Sequence, residues 1–320
     1  MTESRKMLGN MLLLLTAVIW GTAFVFQRVG MDSIEPVTFN AARMWLAAAA
    51  IGLVAVLTGK KNGLQKDTRS AEYTTGGTSD ILPADKQDKT QDRRKNTIIG
   101  GICCGSFLTA ASLFQQMGVV YTTAGKAGFI TAMYMLLVPI INFVFFKKKN
   151  TWLVWTGVLI GVIGMYLLCI KDGFSLTYGD TLVCICALLF SGHILCCDHF
   201  VQLGNPIQIS AIQFLTTAVI SSIIAWIVEA PSPEKILSAA IPILYCGIVS
   251  GGIGYTLQMV AQKYTDPTIA SLLMSLESVF AVIAGAVLLG ERMTARELAG
   301  CIVMFAAIVL VQIPLPERRR

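Results

Sequence analysis

The sequence predicts an all-α integral membrane protein with ten transmembrane helices, arranged as two inverted five-helix repeats. Three observations support this prediction. First, 55% of the 320 residues are hydrophobic and only 14% are charged, whereas a soluble domain carries about 25% charged residues. Second, the chain contains a series of apolar runs of about 20 residues, the length that crosses a hydrocarbon core. Third, the second half of the sequence repeats the first.

The apolar runs are separated by polar connections. The first run, residues 8–27, is longer than the apolar part of a signal peptide and no A-x-A cleavage site follows it, so we expect a retained helix. The other runs cover about 36–59, 97–119, 122–146, 152–170, 180–200, 206–228, 236–261, 267–289 and 294–313. Residues 60–96 contain nine Lys or Arg and six Asp or Glu. We expect them to form a solvated, disordered, cytoplasmic insertion with too little apolar surface to fold.

The internal repeat has a constant offset of 143 residues over most of its length. Identical residues at this offset include Gln115 and Gln258, Tyr121 and Tyr264, Ala127 and Ala270, Ile140 and Ile283, and Gly157 and Gly300. The first two helices match later ones at an offset of 170, as Pro36 matches Pro206, and the insertion at 60–96 explains the difference. The predicted repeats are residues 8–170, including the insertion, and residues 180–313.

An odd number of helices in each repeat places the second repeat upside down in the membrane. Cytoplasmic loops collect Lys and Arg, so the basic residues test this arrangement. With the N terminus inside, the inner side receives most of them, and the outer side receives only Lys171, Lys235, Arg292 and Arg296. We therefore expect both termini on the cytoplasmic side of the cell membrane. Inverted repeats are typical of secondary transporters, whose substrate site lies between the repeats near the midplane.

Glu277 is the carboxylate that we expect nearest to the middle of the membrane, about ten residues into the ninth helix. An ionised side chain at that depth is costly, and such residues usually face the bundle interior or a wet cavity. Glu277 is therefore either a site for a coupling proton or a substrate amine, or a structural carboxyl group that orders a helix interface.

Four more polar or aromatic residues are candidates through the repeat. Gln115 and Gln258 are repeat counterparts that could hydrogen-bond a polar substrate, or could instead join helices at about 1 kcal/mol per contact. Tyr255 lies three residues before Gln258 and shares its helix face. Tyr134 is the counterpart of Glu277 and is a candidate for the cavity wall on that ground.

Three further candidates come from unusual residues within apolar helices. Trp20 lies too deep in the first helix for an interfacial aromatic belt, so it forms a cavity wall, faces the lipid as bulk, or belongs to ordinary core packing. Arg43 lies about 10 Å into the second helix and either meets a carboxylate or a substrate anion, or extends towards the headgroups. His193 is either a hydrogen-bonded structural residue or a proton relay.

Several of these residues belong to motifs that resemble a known family. The motifs are Trp20-Gly21-Thr22, the run from Asp266 to Leu273, the run from Ser275 to Phe280, and the run from Leu288 to Thr294. Together they resemble the EamA-type members of the drug/metabolite transporter superfamily, over nearly the whole chain except residues 60–96. The resemblance implies a transporter of amino acids, metabolites, drugs or nucleotide sugars. Proline usually follows the glutamate in this family, whereas this chain has Ser278, so we expect a softer bend beside Glu277.

The sequence thus favours a secondary-active exporter of a small metabolite, amino acid or drug-like compound, coupled to protons through Glu277. ATP drive is not expected, because there is no Walker A pattern. A membrane enzyme would need a motif such as H-E-x-x-H or paired carboxylates, and neither is present. A receptor or assembly partner without transport activity remains the alternative.

The expected partners are a small-molecule substrate, the lipid bilayer and a coupling proton. Nucleic acid is not expected, because no Lys- and Arg-rich stripe is interleaved with aromatic residues. The nine cysteines lie in apolar runs without metal-ligand spacing. We expect them to be reduced packing residues, and we expect no metal and no cofactor. The sequence leaves the oligomeric state open.

Overall fold

The computed structural model of the chain describes residues 3–73, 84–122, 124–148, 150–169, 177–290 and 294–312. All regular secondary structure within these ranges is helical, which confirms the predicted all-α class for this part of the chain. Eight helices in the described ranges are long and apolar enough to cross a membrane by length and composition. Two shorter apolar helices, Trp152–Gly164 and Leu298–Ala307, occupy the fifth and last places along the chain.

The helices follow the predicted apolar runs. They are α1 (Glu3–Gly30), α2 (Pro36–Tyr73), α3 (Ala84–Tyr121), α4 (Ala124–Ala132), α5 (Tyr134–Phe146), α6 (Trp152–Cys169), α7 (Tyr178–Leu203), α8 (Pro206–Val228), α9 (Pro233–Ser238), α10 (Ala240–Leu244), α11 (Thr256–Gln262), α12 (Pro267–Met274), α13 (Glu277–Leu289) and α14 (Ala295–Gln312). A π-helix, Tyr245–Tyr255, joins α10 to α11.

The structure differs from our expectation of a disordered insertion at 60–96. Helix α2 continues to Tyr73 and α3 begins at Ala84, so both flanks of the insertion are helical. Extending an existing helix adds one hydrogen bond per residue without a new nucleation step, and the Lys, Gln, Arg and Ala residues of these flanks are good helix formers. Residues 74–83 of the insertion, residues 291–293 of the family motif and both chain ends lie outside the described residues.

The predicted ninth helix is interrupted immediately before Glu277. Helix α12 ends at Met274 and α13 begins at Glu277. The Ser275 hydroxyl donates to the Leu272 carbonyl (2.7 Å), and the Ser278 hydroxyl donates to the Ser275 carbonyl (2.8 Å). Serine bonds of this kind to the preceding turn compete with the helix and bend it. The regular α-helix is therefore interrupted at this point although proline is absent, and both intervening residues keep right-handed helical backbone angles.

The fourth predicted helix is interrupted at the corresponding position. Met133 lies between α4 and α5 with φ −61° and ψ −11°, and Leu276 precedes α13 with φ −60° and ψ −12°. Both of the helices that follow end at a residue in the left-handed conformation, Lys147 with φ 55° and Gly290 with φ 68°. Each pair of residues is separated by the 143-residue offset of the sequence repeat.

Two pairs of helices that correspond in the repeat pack against each other in opposite directions. The N-terminal end of α2 contacts the C-terminal end of α8, where the Glu229 carboxylate accepts from the Thr38 backbone N–H (2.7 Å). Further along α2, Trp45 Nε1 donates to Ser222 Oγ (3.0 Å). Helix α6 packs against α14 in the same antiparallel manner, through the close approach of Gly164 to Met304.

The described side chains define two ends of the helix bundle. At the beginning of α1, Thr265 donates to Asn10 (3.3 Å), and the neighbouring Asp266 lies close to Asp198, which pairs with Lys148 at 3.8 Å. At the far end of α1, Lys235 pairs with Glu35. Because the 28 residues of α1 extend about 42 Å, Lys148 and Lys235 lie at opposite ends of the bundle.

Candidate functional site

All eight candidate residues from the sequence line one cavity inside the helix bundle. They are Trp20, Arg43, Gln115, Tyr134, His193, Tyr255, Gln258 and Glu277. The volume open to the centre of a water molecule is about 30 Å³, which is space for about two waters. The structure therefore brings together, from both halves of the chain, residues that the sequence separates by up to 257 positions.

Glu277 lies in the cavity as the first residue of α13, with only 3% of its surface exposed. The Tyr134 phenol lies beside it, close enough for the two groups to interact electrostatically, but Tyr134 Oη and Glu277 Oε1 make no hydrogen bond within 3.5 Å in this geometry. The N terminus of a helix favours negative charge, whereas burial without a partner opposes it. Glu277 is thus a carboxyl group that can exchange a proton or bind a donor from a substrate.

An aromatic wall faces the same cavity. The rings of Trp20 and Tyr255 have centroids 4.5 Å apart, and Trp20 Nε1 donates to the Ser250 carbonyl of the π-helix (3.3 Å). A Cβ atom at Gly254 would lie 2.7 Å from Trp20 Nε1, so this position requires glycine for the indole to reach its acceptor. The wall offers apolar contact area with its polar groups already oriented.

His193 is held in a hydrogen-bonded position. Its Nε2 lies 3.1 Å from Gln213 Oε1, and the Cys197 thiol lies 3.4 Å from the same nitrogen. Since Gln213 Oε1 can only accept, we assign the ring proton to Nε2. The residue is completely buried, and its ring packs edge-on against Tyr255 with a centroid distance of 5.9 Å. These contacts match the structural alternative for His193.

The two repeat-related glutamines have different surroundings. Gln115 donates to Thr131 Oγ1 (3.3 Å) and so joins α3 to α4. Gln258 donates to Gln262 Oε1 (3.0 Å), and Gln262 in turn donates to the Ile194 carbonyl (3.0 Å). The Oε1 atom of Gln258 is buried without a partner. Gln115 therefore joins helices, whereas Gln258 still presents an acceptor in the cavity.

Arg43 is buried, with 5% of its surface exposed, so its side chain does not extend to the headgroups. Its Nε and Nη2 atoms donate to Asn40 Oδ1 at 3.0 and 2.8 Å. The guanidinium carbon also lies 5.8 Å from the centre of the Phe39 ring, which is a favourable position for a cation. These contacts fix the guanidinium at the cavity wall.

Sequence reasoning missed three polar contributors to the site. Gln27 lines the cavity with a buried, unpartnered Oε1 atom, and its position seven residues after Trp20 places both on one face of α1. Thr131 lines it three residues before Tyr134. Asn40, which holds Arg43, lies three residues before it on the same face of α2. Helical spacing from the candidates already chosen would have found all three.

The helices define a multi-pass membrane protein with a largely buried polar cavity between them. Comparison with known proteins identifies its family. The EamA-like transporter family matches residues 7–170 and again residues 177–313, so the chain belongs to this family of membrane transporters, in the drug/metabolite transporter superfamily.

Individual relatives carry the same designation. A protein described as an uncharacterized transporter of Archaeoglobus fulgidus is 27% identical over 97% of this chain and 87% of its own length. The uncharacterized transporter YoaV of Bacillus subtilis is 20% identical over 94% of this chain and 96% of its own length. The chain also superposes on a solved structure that is described only as the crystal structure of a protein. The TM-score is 0.71 and the sequence identity is 16%, over 98% of this chain and 97% of that one. The last similarity shows a shared fold.

Proposed function

We propose that this transporter is a secondary-active exporter of a small metabolite, amino acid or drug-like compound. It works by alternating access, with Glu277 as the site of a coupling proton. The observation that carries the proposal is the polar cavity between the helices, in which Glu277 Oε1 is buried without a partner. The direction of transport rests on the family resemblance.

Alternating access requires two related halves, and several features support an inverted repeat. The two helix interruptions, at Met133 and at Leu276, are separated by the 143-residue offset of the repeat and have nearly the same backbone angles. Repeat counterparts pack antiparallel, α2 on α8 and α6 on α14, as a two-fold axis in the membrane plane would produce. The proposal counts α6 and α14 as the fifth and tenth spans, which completes two five-helix repeats, residues 8–170 and 180–313.

The proposed orientation places both termini in the cytoplasm, with the chain in the cell membrane. Its support is the distribution of basic residues, which collect at the end of the bundle that includes Lys148. The opposite end, with Lys235 and Glu35, then faces outward.

Within the cavity, each half contributes to the proposed site. Glu277 and Gln258 from the second half present acceptor atoms, while Trp20 and Tyr255 supply apolar surface. A substrate that donates hydrogen bonds to Glu277 competes with a proton for the same oxygen atoms. Substrate and proton therefore occupy the site alternately, and this competition is the physical basis of exchange.

Transport by purified protein in liposomes tests the proposal. A panel of small polar and amphipathic compounds is first scored by thermal stabilisation of the detergent-solubilised protein, and the compounds that stabilise it are then tested for movement driven by a pH gradient. Glu277→Gln should abolish the dependence on the gradient, because an amide cannot exchange the proton. Glu234→Gln is the matched control, since Glu234 is exposed in the short helix α9. Unchanged coupling in Glu277→Gln would remove this residue from the mechanism.

A further inference from the structure

We infer that the transported substrate carries a carboxylate that binds to Arg43, and that Asn40 is the residue that positions Arg43 for it. This inference rests on the proposed function, because it names the substrate class of the same cavity. It goes further in assigning a charge to the substrate and a role to Asn40.

The first step is that Arg43 is a buried cation without an anionic partner. Arginine keeps its charge in proteins, and 95% of this side chain is withdrawn from solvent, since only 5% is exposed. The ion pairs seen between described side chains include Arg28 with Asp32, Lys148 with Asp198, and Lys235 with Glu35, and no described carboxylate pairs with Arg43. Glu277 lines the same cavity but does not pair with Arg43. A buried charge without a counter-ion is costly, and an anionic ligand would offset this cost.

The second step is that Asn40 holds the guanidinium without neutralising it. Asn40 Oδ1 accepts from both Nε and Nη2 of Arg43. Asn40 Nδ2 donates to Ser112 Oγ (3.1 Å) on α3 and to Ser221 Oγ (3.0 Å) on α8. All of the hydrogen-bonding capacity of this fully buried amide is therefore used, and it fixes α2 to two neighbouring helices.

The third step concerns the part of the guanidinium that Asn40 leaves available. Asn40 binds the edge formed by Nε and Nη2, and the Cys246 thiol also lies beside the group. The planar guanidinium has a second edge, formed by Nη1 and Nη2, whose geometry matches the two oxygens of a carboxylate. Arg43 lines the cavity, so a ligand there can reach a cation that is already oriented.

The fourth step is that most of the other unpartnered atoms of the cavity disfavour a carboxylate on their side. Gln27 Oε1, Gln258 Oε1 and Glu277 Oε1 are buried acceptors without donors, and Tyr134 Oη, which can donate or accept, is the fourth unpartnered atom of the lining. Oxygen atoms of a carboxylate would be repelled by the three acceptors, whereas hydroxyl or amine groups of a substrate would satisfy them. The cavity thus distinguishes an end for the anion at Arg43 from an end for donors at Glu277.

The test measures binding by the full-length purified protein in detergent, using isothermal titration calorimetry at pH 7.5. Lactate, glycolate and benzoate are each compared with the neutral amide of the same shape, namely lactamide, glycolamide and benzamide. We expect at least one carboxylate to bind at least tenfold more tightly than its amide. Equal affinity of every acid and its amide, or binding of amides alone, would overturn the inference.

Asn40→Asp is the decisive variant. It keeps the size and both acceptor bonds to Arg43, and Ser221 Oγ can donate to it, as can Ser112 Oγ once that hydroxyl turns away from the Thr109 carbonyl. However, it supplies an internal counter-ion, so carboxylate affinity should fall at least tenfold while the thermal unfolding temperature is retained. The carboxylate affinity of Arg43→Lys should fall by a similar factor, because lysine keeps the positive charge but lacks the planar guanidinium that donates to two oxygen atoms at once. Arg28→Gln, at an exposed pair, is the control and should bind normally.

The outcomes separate this inference from the proposed function. Unchanged carboxylate affinity in a folded Asn40→Asp protein would overturn the inference. The inference would also be overturned if the liposomes transported a neutral or cationic compound while the protein bound none of the three carboxylates. In that case the proposed transport function would still stand. Failure of the proposed function is a different result, in which a carboxylate binds to Arg43 but no compound crosses the liposome membrane.

Discussion

Replacing Gly21 by alanine should weaken the packing of α1 against α13 directly beside Glu277. A Cβ atom at Gly21 would lie 2.5 Å from Phe280 Cβ and 2.6 Å from the Glu277 carbonyl oxygen. Carbon atoms are best separated by about 3.5–4.0 Å, so the two helices would have to move apart by about 1 Å. Overpacking of this kind costs about 1–3 kcal/mol.

The gain in helix propensity from Gly to Ala, about 1 kcal/mol, partly hides this cost. Gly52→Ala measures that gain alone, because Gly52 lies in α2 with no atom within 4 Å of an added Cβ. We therefore expect Gly52→Ala to be neutral or stabilising, and Gly21→Ala to be less stable than Gly52→Ala by about 1–3 kcal/mol. Reversible unfolding of both proteins in mixed micelles measures the difference. Equal stability of the two variants would refute the close contact between α1 and α13.

Two further predictions concern the end of the bundle that includes Lys235. Glu229→Gln should cost about 1 kcal/mol of stability, because the Glu229 carboxylate caps the N terminus of α2 by accepting from the backbone N–H groups of Val37 and Thr38. The variant Glu234→Gln, at an exposed residue, serves as the control in the same unfolding assay. The hydrogen bond from Lys235 lowers the pKa of Glu35, so the pair adds stability above the pKa of the unfolded glutamate, and this contribution is lost as the pH falls through the lowered value. Lys235→Ala should therefore destabilise the protein by less than about 1 kcal/mol at pH 7 and by less still near pH 3, and a difference that grows on acidification would contradict the assignment.

The sequence predicted the location of the site better than its internal contacts. Polar residues in apolar helices must turn away from lipid, and this single constraint was enough to select Glu277, Gln258 and Arg43, which do lie together in the cavity. The same constraint did not select Asn40, because an amide near the start of a helix resembles an ordinary polar residue close to the membrane surface; only its spacing of three residues from Arg43 points to the pair.

Backbone geometry was the other part that the sequence did not reveal. The π-helix at Tyr245–Tyr255 lies where two other helices come close, as Gly247 approaches the backbone of Arg43 and Gly254 approaches Trp20. The sequence showed only a series of glycines, which is equally compatible with close packing and with flexing. The break before Glu277 was hidden for a similar reason, since Ser275 and Ser278 replace proline with side-chain hydrogen bonds.

Labelling of the two bundle ends from opposite sides of the membrane tests the inverted arrangement most directly. Single cysteines at positions 148 and 235, introduced into a background with the native cysteines replaced, are exposed to a membrane-impermeant maleimide in sealed right-side-out vesicles. The account predicts that Lys235→Cys reacts from outside, whereas Lys148→Cys reacts only after the membrane is permeabilised. Reaction of both positions from the same side would contradict the account.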